Sequence, residues 1–454
     1  MSQQASVTLE SHRAGYRPQE STGCQHLILC SRLLTARPNS MRFLWLAHAI
    51  PYPPKAGFLI RSYYLLRELA REHTVDVLAM IQEQWVTTQF PSLESGLAEA
   101  ARHLQTFCNE VQFVPISRVN RPGGKLRTAL EALVRGTPYA TYWLDGQHAR
   151  QTVQELVATH HYDLIHFDQI GLVPLRVATG DRPATLGHHN IESHMLFRRA
   201  ENTGNPLLRA YFRREARLLR QVEIVSAPRF RIHITCSELD STRLRAFVPA
   251  INVESIPNGV DCDYFRPLPA RENENSLVFA GTMNWYPNVD AMKSFINSVW
   301  AGLQRNIPSI TLDIVGSNPP RSLVTLANAH PGITVHGYVE DVRPYLAAAA
   351  IVICPIRDGG GTKLKLLDAC AMQKCIVAHP IACEGIDVSD GVDVVLATEP
   401  REWIDAISRL LADASTRASF GINARRLVEA QYSYRSIGSR FRSLIEYAAN
   451  GHGI

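Results

Sequence analysis

The chain has 454 residues, of which 46% are hydrophobic and 20% are charged, and its formal net charge is +5. This length and composition predict a soluble globular protein with two domains. The small net charge, without zinc-finger spacing or a heptad pattern, argues against a dedicated nucleic-acid-binding protein, and the absence of a run of about 18 apolar residues argues against a membrane span.

The first forty residues differ from the rest of the sequence. They are polar, carry scattered arginines and show no sustained periodicity, whereas an apolar strand pattern follows Met41 directly. We therefore expect residues 1–40 to be a disordered extension or a start-site artefact. The start lacks the pattern of a secretory signal. The nine cysteines include no CxxC pair, so reduced thiols and a cytoplasmic location are expected.

Short apolar strands alternate with helical patterns in the first half of the chain. The predicted strands span residues 42–46, 75–80, 111–115, 164–167, 184–187, 233–236 and 253–256. The predicted helices span residues 61–71, 149–158, 206–219 and 238–247. This alternation is typical of a parallel sheet with helices on both faces.

The same alternation returns in the second half, after a turn-rich and polar segment at residues 256–276. The predicted strands span residues 277–280, 311–315, 333–336, 350–354, 375–378 and 392–396. The predicted helices span residues 289–303, 342–349, 363–372, 403–411 and 416–431. We therefore predict an α/β protein with two Rossmann-like domains that face each other across a cleft, with ligands at the C-terminal ends of the strands.

A triple-glycine turn connects the predicted strand 350–354 to the helix that follows it. The sequence Asp-Gly-Gly-Gly-Thr occupies residues 358–362, and Lys363 comes next. Glycines allow the backbone to approach a ligand closely, and a helix start offers unpaired N–H groups and a positive dipole end. The turn is therefore a candidate phosphate site, to which Lys363 adds a full charge. The alternative is a tight turn that only caps the helix.

Six motifs, in this order, resemble those of a known family. They are IPYPPKAG at residues 50–57, HHNIES at 188–193, IPNGVD at 256–261, FAGTMNWYPNVD at 279–290, GYVEDVRPY at 337–345 and DGGGTKLKLLDA at 358–369. The chain resembles the retaining glycosyltransferases of family 4, which have the GT-B fold. Within them it is most similar to the sugar transferases of bacterial exopolysaccharide gene clusters, over roughly residues 41 to 447.

The resemblance implies a nucleotide-diphosphate sugar as the donor substrate. It assigns residues 41–262 to an acceptor domain, 263–430 to a nucleotide-sugar domain and 431–454 to a C-terminal helix that crosses back onto the first domain. It also implies transfer with retention, no obligatory metal and no other cofactor. Without a metal, the leaving diphosphate needs other positive partners, and Lys363 at the glycine-rich helix start fits that need.

The resemblance further implies a set of donor-binding residues. They are Gly57, Gly281, Thr282, Asn284, Gly337, Tyr338, Val339, Gly360, Gly361, Thr362, Lys363, Leu364 and Asp368. Residues 337–339 would contact the base, and Asp368 the ribose. The sequence departs from the family pattern twice. First, the usual Arg and Lys after residue 280 are absent, which shifts phosphate binding towards Lys363, Arg357 or Lys365. Second, Gly360 stands where the family has an acidic residue, and Asp358 is the nearest substitute for it.

His189 and Asp168 are the candidate catalytic bases, because each follows a predicted first-domain strand and would face the cleft. Lys363 is the third candidate catalytic residue, through its contact with the leaving diphosphate. His188 and Asn190 are candidates for binding the acceptor. For the first-domain residues, the alternative is a capping or core role. Arg61, close to Gly57, is expected to be a solvated charge.

A later helical pattern suggests contact with a membrane surface. Arg209, Arg213, Arg217 and Arg220 are spaced for one helical face, with apolar residues among them. Such a helix can rest on anionic lipid, and the lipid-linked acceptors of many family members favour peripheral contact with the inner face of the membrane. The alternative is a solvated arginine face with Glu215 as a partner.

Together these patterns predict a glycosyltransferase that moves a sugar from a nucleotide-diphosphate donor to a glycan or lipid-linked acceptor in bacterial polysaccharide biosynthesis. Two alternatives stay open. One is a non-catalytic partner subunit that binds a nucleotide sugar, which Gly360 and the missing basic pair favour. The other is a nucleotide-sugar epimerase with the same fold.

Overall fold

The computed structural model describes residues 40–451, except residues 117, 120–122, 284 and 359–361. In the first half of the described chain, seven strands form one parallel sheet in the order β3-β2-β1-β4-β5-β6-β7. These strands are β1 (Arg42–Ala47), β2 (Thr74–Ile81), β3 (Val111–Pro115), β4 (Leu164–Phe167), β5 (Ala184–His188), β6 (Ile232–Thr235) and β7 (Val253–Ser255). All seven strands predicted for this half are confirmed.

Helices cover both faces of this sheet. They are α1 (Gly57–Leu69), α2 (Glu83–Gln89), α3 (Leu93–Leu104), α4 (Gly124–Arg135), α5 (Tyr139–Tyr142), α6 (Gln147–Thr159), α7 (Glu192–Glu201), α8 (Pro206–Ser226) and α9 (Glu238–Arg245). Two segments, Ile170–Thr179 and Ala227–Arg229, are 3-10 helices. The sequence predicted α1, α6, α8 and α9, but not α2 to α5 or α7.

A second parallel sheet follows in the order β10-β9-β8-β11-β12-β13. Its strands are β8 (Asn273–Ala280), β9 (Thr311–Val315), β10 (Ile333–Gly337), β11 (Ala349–Cys354), β12 (Cys375–Ala378) and β13 (Val395–Leu396). Its strand β11 is buried along its whole length and lies next to β8 and β12. The loops after β8 and β11 therefore leave the same end of the sheet beside each other.

The helices of the second half include the final segment of the described chain. They are α10 (Tyr286–Phe295), α11 (Ala301–Asn306), α12 (Arg321–Asn328), α13 (Arg343–Ala348), α14 (Leu364–Ala371), α15 (Pro400–Ala412), α16 (Ala414–Gln431) and α17 (Tyr434–Ala449). A π-helical turn, Ile296–Trp300, joins α10 to α11, and Pro380–Cys383 is a 3-10 helix. The sequence missed only α12 among these helices, and it predicted α10 and α11 as one helix.

The last strand is shorter than the prediction of 392–396. Only Val395–Leu396 pair with β12. The preceding residues fold back on themselves, since the Gly391 N–H donates to the Val394 carbonyl at 2.9 Å and the Ser389 N–H donates to the Asp393 carboxylate at 2.9 Å. Those local bonds replace the ladder bonds that a longer strand would make.

Helix α17 packs mainly against the first half of the chain. Its buried residues Ile437, Phe441 and Ile445 belong to the core cluster that contains Phe43 of β1. Tyr434, at the start of α17, stacks on Tyr64 of α1 with ring centroids 4.3 Å apart. The architecture confirms the predicted fold class, two parallel α/β units of Rossmann-like form.

Candidate active site

The first turns of two helices, one from each half of the chain, meet across the cleft. Gly57 begins α1 after β1, and Leu364 begins α14 after β11. A Cβ atom placed on Gly57 would lie 3.6 Å from Cδ1 of Leu364, which is van der Waals contact. The structure thus brings together two of the predicted donor-binding residues, each at the N-terminal end of its helix.

A second interaction between the halves lies beside the glycine turn. Arg198 of α7 and Asp358 form an ion pair with 3.0 Å between Nη2 and Oδ1. The hydroxyl of Tyr286, at the start of α10, donates to the other carboxylate oxygen of Asp358 at 2.5 Å. The sequence suggested Asp358 as a substitute for a missing acidic residue, but it gave no sign of Arg198 or Tyr286 as its partners.

On the first-domain side, one carboxylate and two imidazoles converge. Asp168 follows β4, and His48 and His189 follow the neighbouring strands β1 and β5. Oδ2 of Asp168 lies 3.3 Å from Nδ1 of His48 and 3.4 Å from Nε2 of His189. The Ser62 hydroxyl of α1 donates to the same oxygen at 2.8 Å. The structure therefore brings both predicted bases together, with His48 and Ser62 as partners that the sequence did not reveal.

The charge states in this cluster are set by burial and by the neighbouring groups. Burial opposes ionisation of Asp168, but His189 and His48 outweigh it and hold the pKa of this carboxyl well below its usual value. Burial lowers the pKa of His189, with Asp168 acting in the opposite sense. At neutral pH the cluster is thus a carboxylate beside a neutral imidazole, a combination that can accept or position a proton.

Nε2 of His189 is buried, and its neighbour is the Asp168 carboxylate at 3.4 Å, a distance too long for a strong hydrogen bond. His48, Asp168 and His189 each offer one possible ligand atom, and these three atoms lie within 4.8 Å of one another, a spacing that fits a metal ion. The cluster is therefore suited to proton transfer or to hydrogen bonding with a sugar, and it is also the candidate metal position in the described chain.

His188 does not reach the cleft. Its ring is 3% exposed, and its Nε2 lies 3.0 Å from Nδ1 of His233, whose own Nε2 lies 3.1 Å from the Ala227 carbonyl. Burial lowers the pKa of His188 well below its usual value. The ring is part of the packing under β5 and β6, which corrects the prediction of a contact with the acceptor. Asn190 is half-buried at the C-terminal end of β5.

On the second-domain side, Lys363 is buried at the start of α14. It is 3% exposed, and burial lowers its pKa while Glu384 acts in the opposite sense. The neighbouring Oγ1 of Thr362 is also buried and has no hydrogen-bond partner within the part of the chain that is described. A buried ammonium next to an unpaired hydroxyl is suited to an anionic ligand. Gly360 and Gly361 lie outside the described residues.

Lys365 supplies a second ammonium group, next to the loop after β8. Its Nζ lies 2.5 Å from Oδ1 of Asn288 and 4.6 Å from the ring centroid of Phe279. A Cβ atom on Gly281 would lie 2.3 Å from this Nζ, so only glycine leaves room for the lysine in this position. Burial lowers the pKa of Lys365 to about 8. An ammonium group from α14 thus lies beside the loop after β8, where the sequence lacks the basic residues of the family pattern.

Three glycines line the C-terminal ends of β8, β9 and β10. A Cβ atom on Gly316 would lie 1.8 Å from the Gly281 carbonyl oxygen, and the Gly316 N–H donates to the Gly337 carbonyl at 2.8 Å. The sequence identified Gly281 and Gly337, but not Gly316 between them. Thr282 bonds to Ser317 of the same edge at 2.8 Å.

The remaining predicted donor residues lie around this edge. Tyr338 is 67% exposed, and Val339 follows it in the loop after β10. Asp368 is half-buried on α14, where burial raises its pKa to about 7 and Lys365 acts in the opposite sense. Asn284 lies outside the described residues. The structure thus groups residues from four different segments at the C-terminal edge of the second sheet.

Arg61 is not the solvated charge that the sequence suggested. It is 5% exposed, and its Nη1 donates to the Pro257 carbonyl at 3.0 Å and to Oδ1 of Asn258 at 3.2 Å. These bonds connect α1 to the IPNGVD motif. Arg61 therefore fixes the segment between the two sheets.

The four arginines of α8 have different surroundings. Arg213 and Arg217 are exposed, whereas Arg209 donates to the Thr203 carbonyl. The Arg220 guanidinium lies over the rings of Phe197 and Phe247, at 4.6 and 4.7 Å from their centroids. None of the helices in the described part of the chain is long and apolar enough to cross a membrane.

Comparisons with known proteins agree with this geometry. Residues 93–264 match the family model described as Glycosyltransferase Family 4, and residues 274–413 match the model described as Glycosyl transferases group 1. A GDP-mannose-dependent alpha-(1-6)-phosphatidylinositol monomannoside mannosyltransferase of Mycolicibacterium smegmatis is 25% identical over 220 residues. The match covers 44% of this chain and 58% of that relative, so it spans little more than half the length of the relative.

Solved structures with the same fold cover most of the chain. A sucrose-phosphate synthase from Thermosynechococcus elongatus matches with a TM-score of 0.62 and 16% identity, over 89% of this chain and 98% of that one. Anabaena HepE in complex with UDP matches with a TM-score of 0.59 and 15% identity, over 89% of this chain and 100% of that one. With its two facing parallel sheets and both family matches, the chain belongs to the family 4 glycosyltransferases of GT-B fold.

Proposed function

We propose that this glycosyltransferase moves a sugar, with retention of anomeric configuration, from a nucleotide-diphosphate donor to a glycan or lipid-linked acceptor in bacterial polysaccharide biosynthesis. The observation that carries the proposal is the approach of the start of α1, a helix whose Ser62 binds Asp168, to the start of α14, which carries Lys363 and Lys365. One buried and one half-buried ammonium group suit a diphosphate, and a buried carboxylate beside imidazoles suits sugar hydroxyls. HepE was solved with UDP, and the Mycolicibacterium relative is GDP-mannose-dependent.

In this proposal the donor lies along the second sheet. The diphosphate contacts the start of α14, Lys363, Lys365 and the turn that contains Gly360, Gly361 and Thr362. Gly57, Gly281, Thr282 and Asn284 leave space for it or contact it. The base contacts residues 337–339, and Asp368 accepts hydrogen bonds from the ribose. The unpaired Thr362 hydroxyl supports this arrangement, since it would gain a phosphate oxygen as a partner.

The proposed chemistry is a front-face substitution. The bond between the anomeric carbon and the acceptor oxygen forms on the side from which the diphosphate leaves. The acceptor proton passes to the departing phosphate oxygen, and Lys363 and Lys365 stabilise the negative charge that develops there. Asp168 and His189 hold the transferred sugar and are alternative proton acceptors, while Asn190 is a candidate acceptor contact. No bound metal or other cofactor takes part in this scheme.

Nucleotide binding is the first test of the proposal. A thermal-shift panel of UDP, GDP, ADP and TDP, each with its sugar conjugates, should raise the melting temperature for one base, because a ligand that binds only the folded form stabilises it. Calorimetry should then give heat with the same nucleotide. The configuration of the product, read by NMR, tests retention. Folded protein that binds none of the four nucleotides would contradict the proposal.

A non-catalytic partner subunit is the second candidate. The glycine at position 360, in place of an acidic residue, favours it. Nucleotide-sugar binding without donor hydrolysis or transfer would support this candidate. The epimerase alternative predicts a changed nucleotide sugar in the absence of any acceptor.

We further propose a cytoplasmic protein that contacts the inner face of the membrane through Arg209, Arg213, Arg217 and Arg220. The exposed Arg213 and Arg217 support an electrostatic contact. Arg220, whose guanidinium lies between two phenyl rings, would support the helix from behind. A variant with all four arginines changed to serine should lose flotation with anionic liposomes, and equal flotation would refute the contact.

A further inference from the structure

Three side chains converge where three adjacent strands of the first sheet end. Asp168 follows β4, the middle strand of the three, and His48 and His189 follow β1 and β5 on either side of it. The Gln82 side-chain amide donates to the His48 carbonyl at 2.9 Å, which fixes the loop after β1. The sheet itself thus holds these side chains together, and we name them the His–Asp–His cluster: His48, Asp168 and His189.

Hydrogen bonding alone leaves this cluster incomplete. Oδ2 of Asp168 accepts from the Ser62 hydroxyl at 2.8 Å, and the same oxygen lies 3.3 Å from Nδ1 of His48 and 3.4 Å from Nε2 of His189. A carboxylate oxygen has two lone pairs, so it cannot serve three donors. Both imidazole contacts are also longer than the usual N–H···O distance of about 2.9–3.0 Å. Two imidazole nitrogens therefore surround one oxygen without a strong hydrogen bond to it.

The spacing of these atoms matches that of the ligands of a zinc ion. Zinc binds imidazole nitrogen and carboxylate oxygen at about 2.0–2.2 Å in a tetrahedron, which places neighbouring ligand atoms roughly 3.4 Å apart. The separations of 3.3 and 3.4 Å from Oδ2 of Asp168 agree with that value. The three ligand atoms all lie within 4.8 Å of one another. Rotation of the two imidazole rings, whose centroids are 5.5 Å apart, can close the remaining edge of the tetrahedron.

The ligand types and their access to solvent also favour zinc. Imidazole suits Zn²⁺, Ni²⁺ and Cu²⁺, whereas Mg²⁺ prefers oxygen ligands. Three protein ligands leave the fourth position of a tetrahedral ion open. The side chains of His48 and His189 are 10% and 11% exposed, so an ion can reach them. The Ser62 hydroxyl would orient the ligating carboxylate, as hydrogen-bond partners of metal ligands commonly do.

We propose that the His–Asp–His cluster binds one zinc ion, with Nδ1 of His48, an oxygen of Asp168 and Nε2 of His189 as its protein ligands and water in the fourth position. The ion occupies two of the groups that hold the transferred sugar in the proposed reaction, so bound zinc inhibits transfer. The inhibition rests on the proposed function, whereas the zinc site does not.

Zinc titration of the full chain, prepared without a histidine tag, tests the site. We expect calorimetry to show one ion per chain, and Co²⁺ in its place to give the visible absorption bands of a tetrahedral site. Ser62→Ala should raise the zinc Kd by about 10- to 100-fold, because the Asp168 carboxylate loses the partner that orients it. His48→Gln/His189→Gln should lose the tetrahedral cobalt bands, since two of the three protein ligands are removed.

The matched control is His160→Gln/His336→Gln. It removes two imidazoles that each contact one carboxylate, those of Glu110 and Asp313, but no second imidazole. This control should keep the wild-type zinc Kd. Melting temperatures without metal check the fold of every variant, and Asp168→Asn, which keeps the side-chain shape and should also lose the cobalt bands, replaces the double histidine variant if that one does not fold. A wild type that binds no zinc would overturn the inference, and so would equal zinc binding by the wild type and the cluster variants.

Transfer assays with the preferred donor test the inhibition. Zinc should lower wild-type turnover, a chelator should restore it, and Ser62→Ala should need about 10- to 100-fold more zinc for the same fractional inhibition. Unchanged turnover in the zinc-bound wild type would refute the inhibition, and so would equal zinc sensitivity of the two proteins, which indicates an effect on the donor diphosphate. Folded protein that binds no nucleotide contradicts the proposed function and leaves the result of the zinc titration standing.

Discussion

Replacement of Lys365 by methionine should weaken nucleotide binding without unfolding the protein. Methionine keeps most of the side-chain volume and removes the ammonium that lies 2.5 Å from Oδ1 of Asn288. Burial lowers the pKa of this lysine to about 8, so the buried charge itself opposes folding. We therefore expect the free energy of unfolding of Lys365→Met to equal or exceed that of the wild type.

The loss in binding can be estimated from one charge-assisted contact. Such a contact contributes about 1.5–3 kcal/mol, and about 1.4 kcal/mol is a factor of ten in Kd. The Kd for the preferred nucleoside diphosphate, measured by calorimetry at pH 7, should therefore rise about tenfold to about 150-fold.

The pH dependence of nucleotide binding tests the role of the same residue independently. Lys365 is charged below its pKa of about 8 and neutral above it. Wild-type affinity for the diphosphate should therefore fall as the pH rises through 8, and this fall should be absent in Lys365→Met. A variant with wild-type Kd and an unchanged pH profile would refute the assignment.

Lys374→Met is the matched control for the removal of a buried lysine. Lys374 is 7% exposed, and its Nζ lies 3.0 Å from Oε2 of Glu272, at the opposite end of β12 from the cleft. We expect this variant to lose stability, because it breaks an ion pair, but to keep the wild-type Kd. A similar loss of binding in both variants would indicate a general effect on the second domain.

Three further predictions concern Lys363, Gly281 and two buried histidines of the first domain. Lys363→Ala should lower turnover at least about tenfold through the lost contact with the diphosphate, and unchanged turnover at limiting and saturating donor would contradict this. Gly281→Ala should displace the ammonium of Lys365, since its Cβ atom would lie 2.3 Å from Nζ, so the double variant Gly281→Ala/Lys365→Met should bind nucleotide no more weakly than Lys365→Met alone. Burial lowers the pKa of His166 and of His233 to about 4. The unfolded chain therefore binds more protons than the folded chain between pH 4 and 6.5. The free energy of unfolding should fall on acidification through this window by up to about 1.4 kcal/mol per pH unit for each histidine, which urea titrations at pH 5 and pH 7 can measure, whereas equal values at both pH values would contradict it.

The sequence was sufficient to predict both sheets, because their strands are the most regular signal in the chain. A parallel strand that is covered on both faces is apolar along its length, as β11 is throughout and β1 is after Arg42. The helix α4 was missed although its leucines and Val134 recur at helical spacing. The structure turns that apolar side outwards and buries Gly124, Thr128 and Ala132 instead, an arrangement that the sequence pattern does not predict.

The candidate site was predictable where one segment contains it. The glycine turn and Lys363 form such a segment, and the family resemblance selected Asp168 and His189. The partners of these residues were not predictable, because they come from distant parts of the chain. Arg198 and Asp358 are 160 positions apart. His48 and Asp168 are 120 positions apart, and the order of the strands in the sheet places them side by side.

Lys365 is the candidate replacement for the basic residues that the family pattern has after β8. The resemblance calls for basic residues after β8, and this chain has none there. The helix α14 carries the lysine instead, and Gly281 leaves the space that its ammonium occupies. A residue-by-residue alignment treats the missing basic residues after β8 as a loss of function. It compares residues at matching positions of the sequence, and not the places of their charges in the structure. The charge is nevertheless within 4.6 Å of the Phe279 ring centroid, at the end of β8. Sequence departures at such a site are therefore best tested as paired changes, here Gly281 with Lys365, since each residue has its role only in the presence of the other.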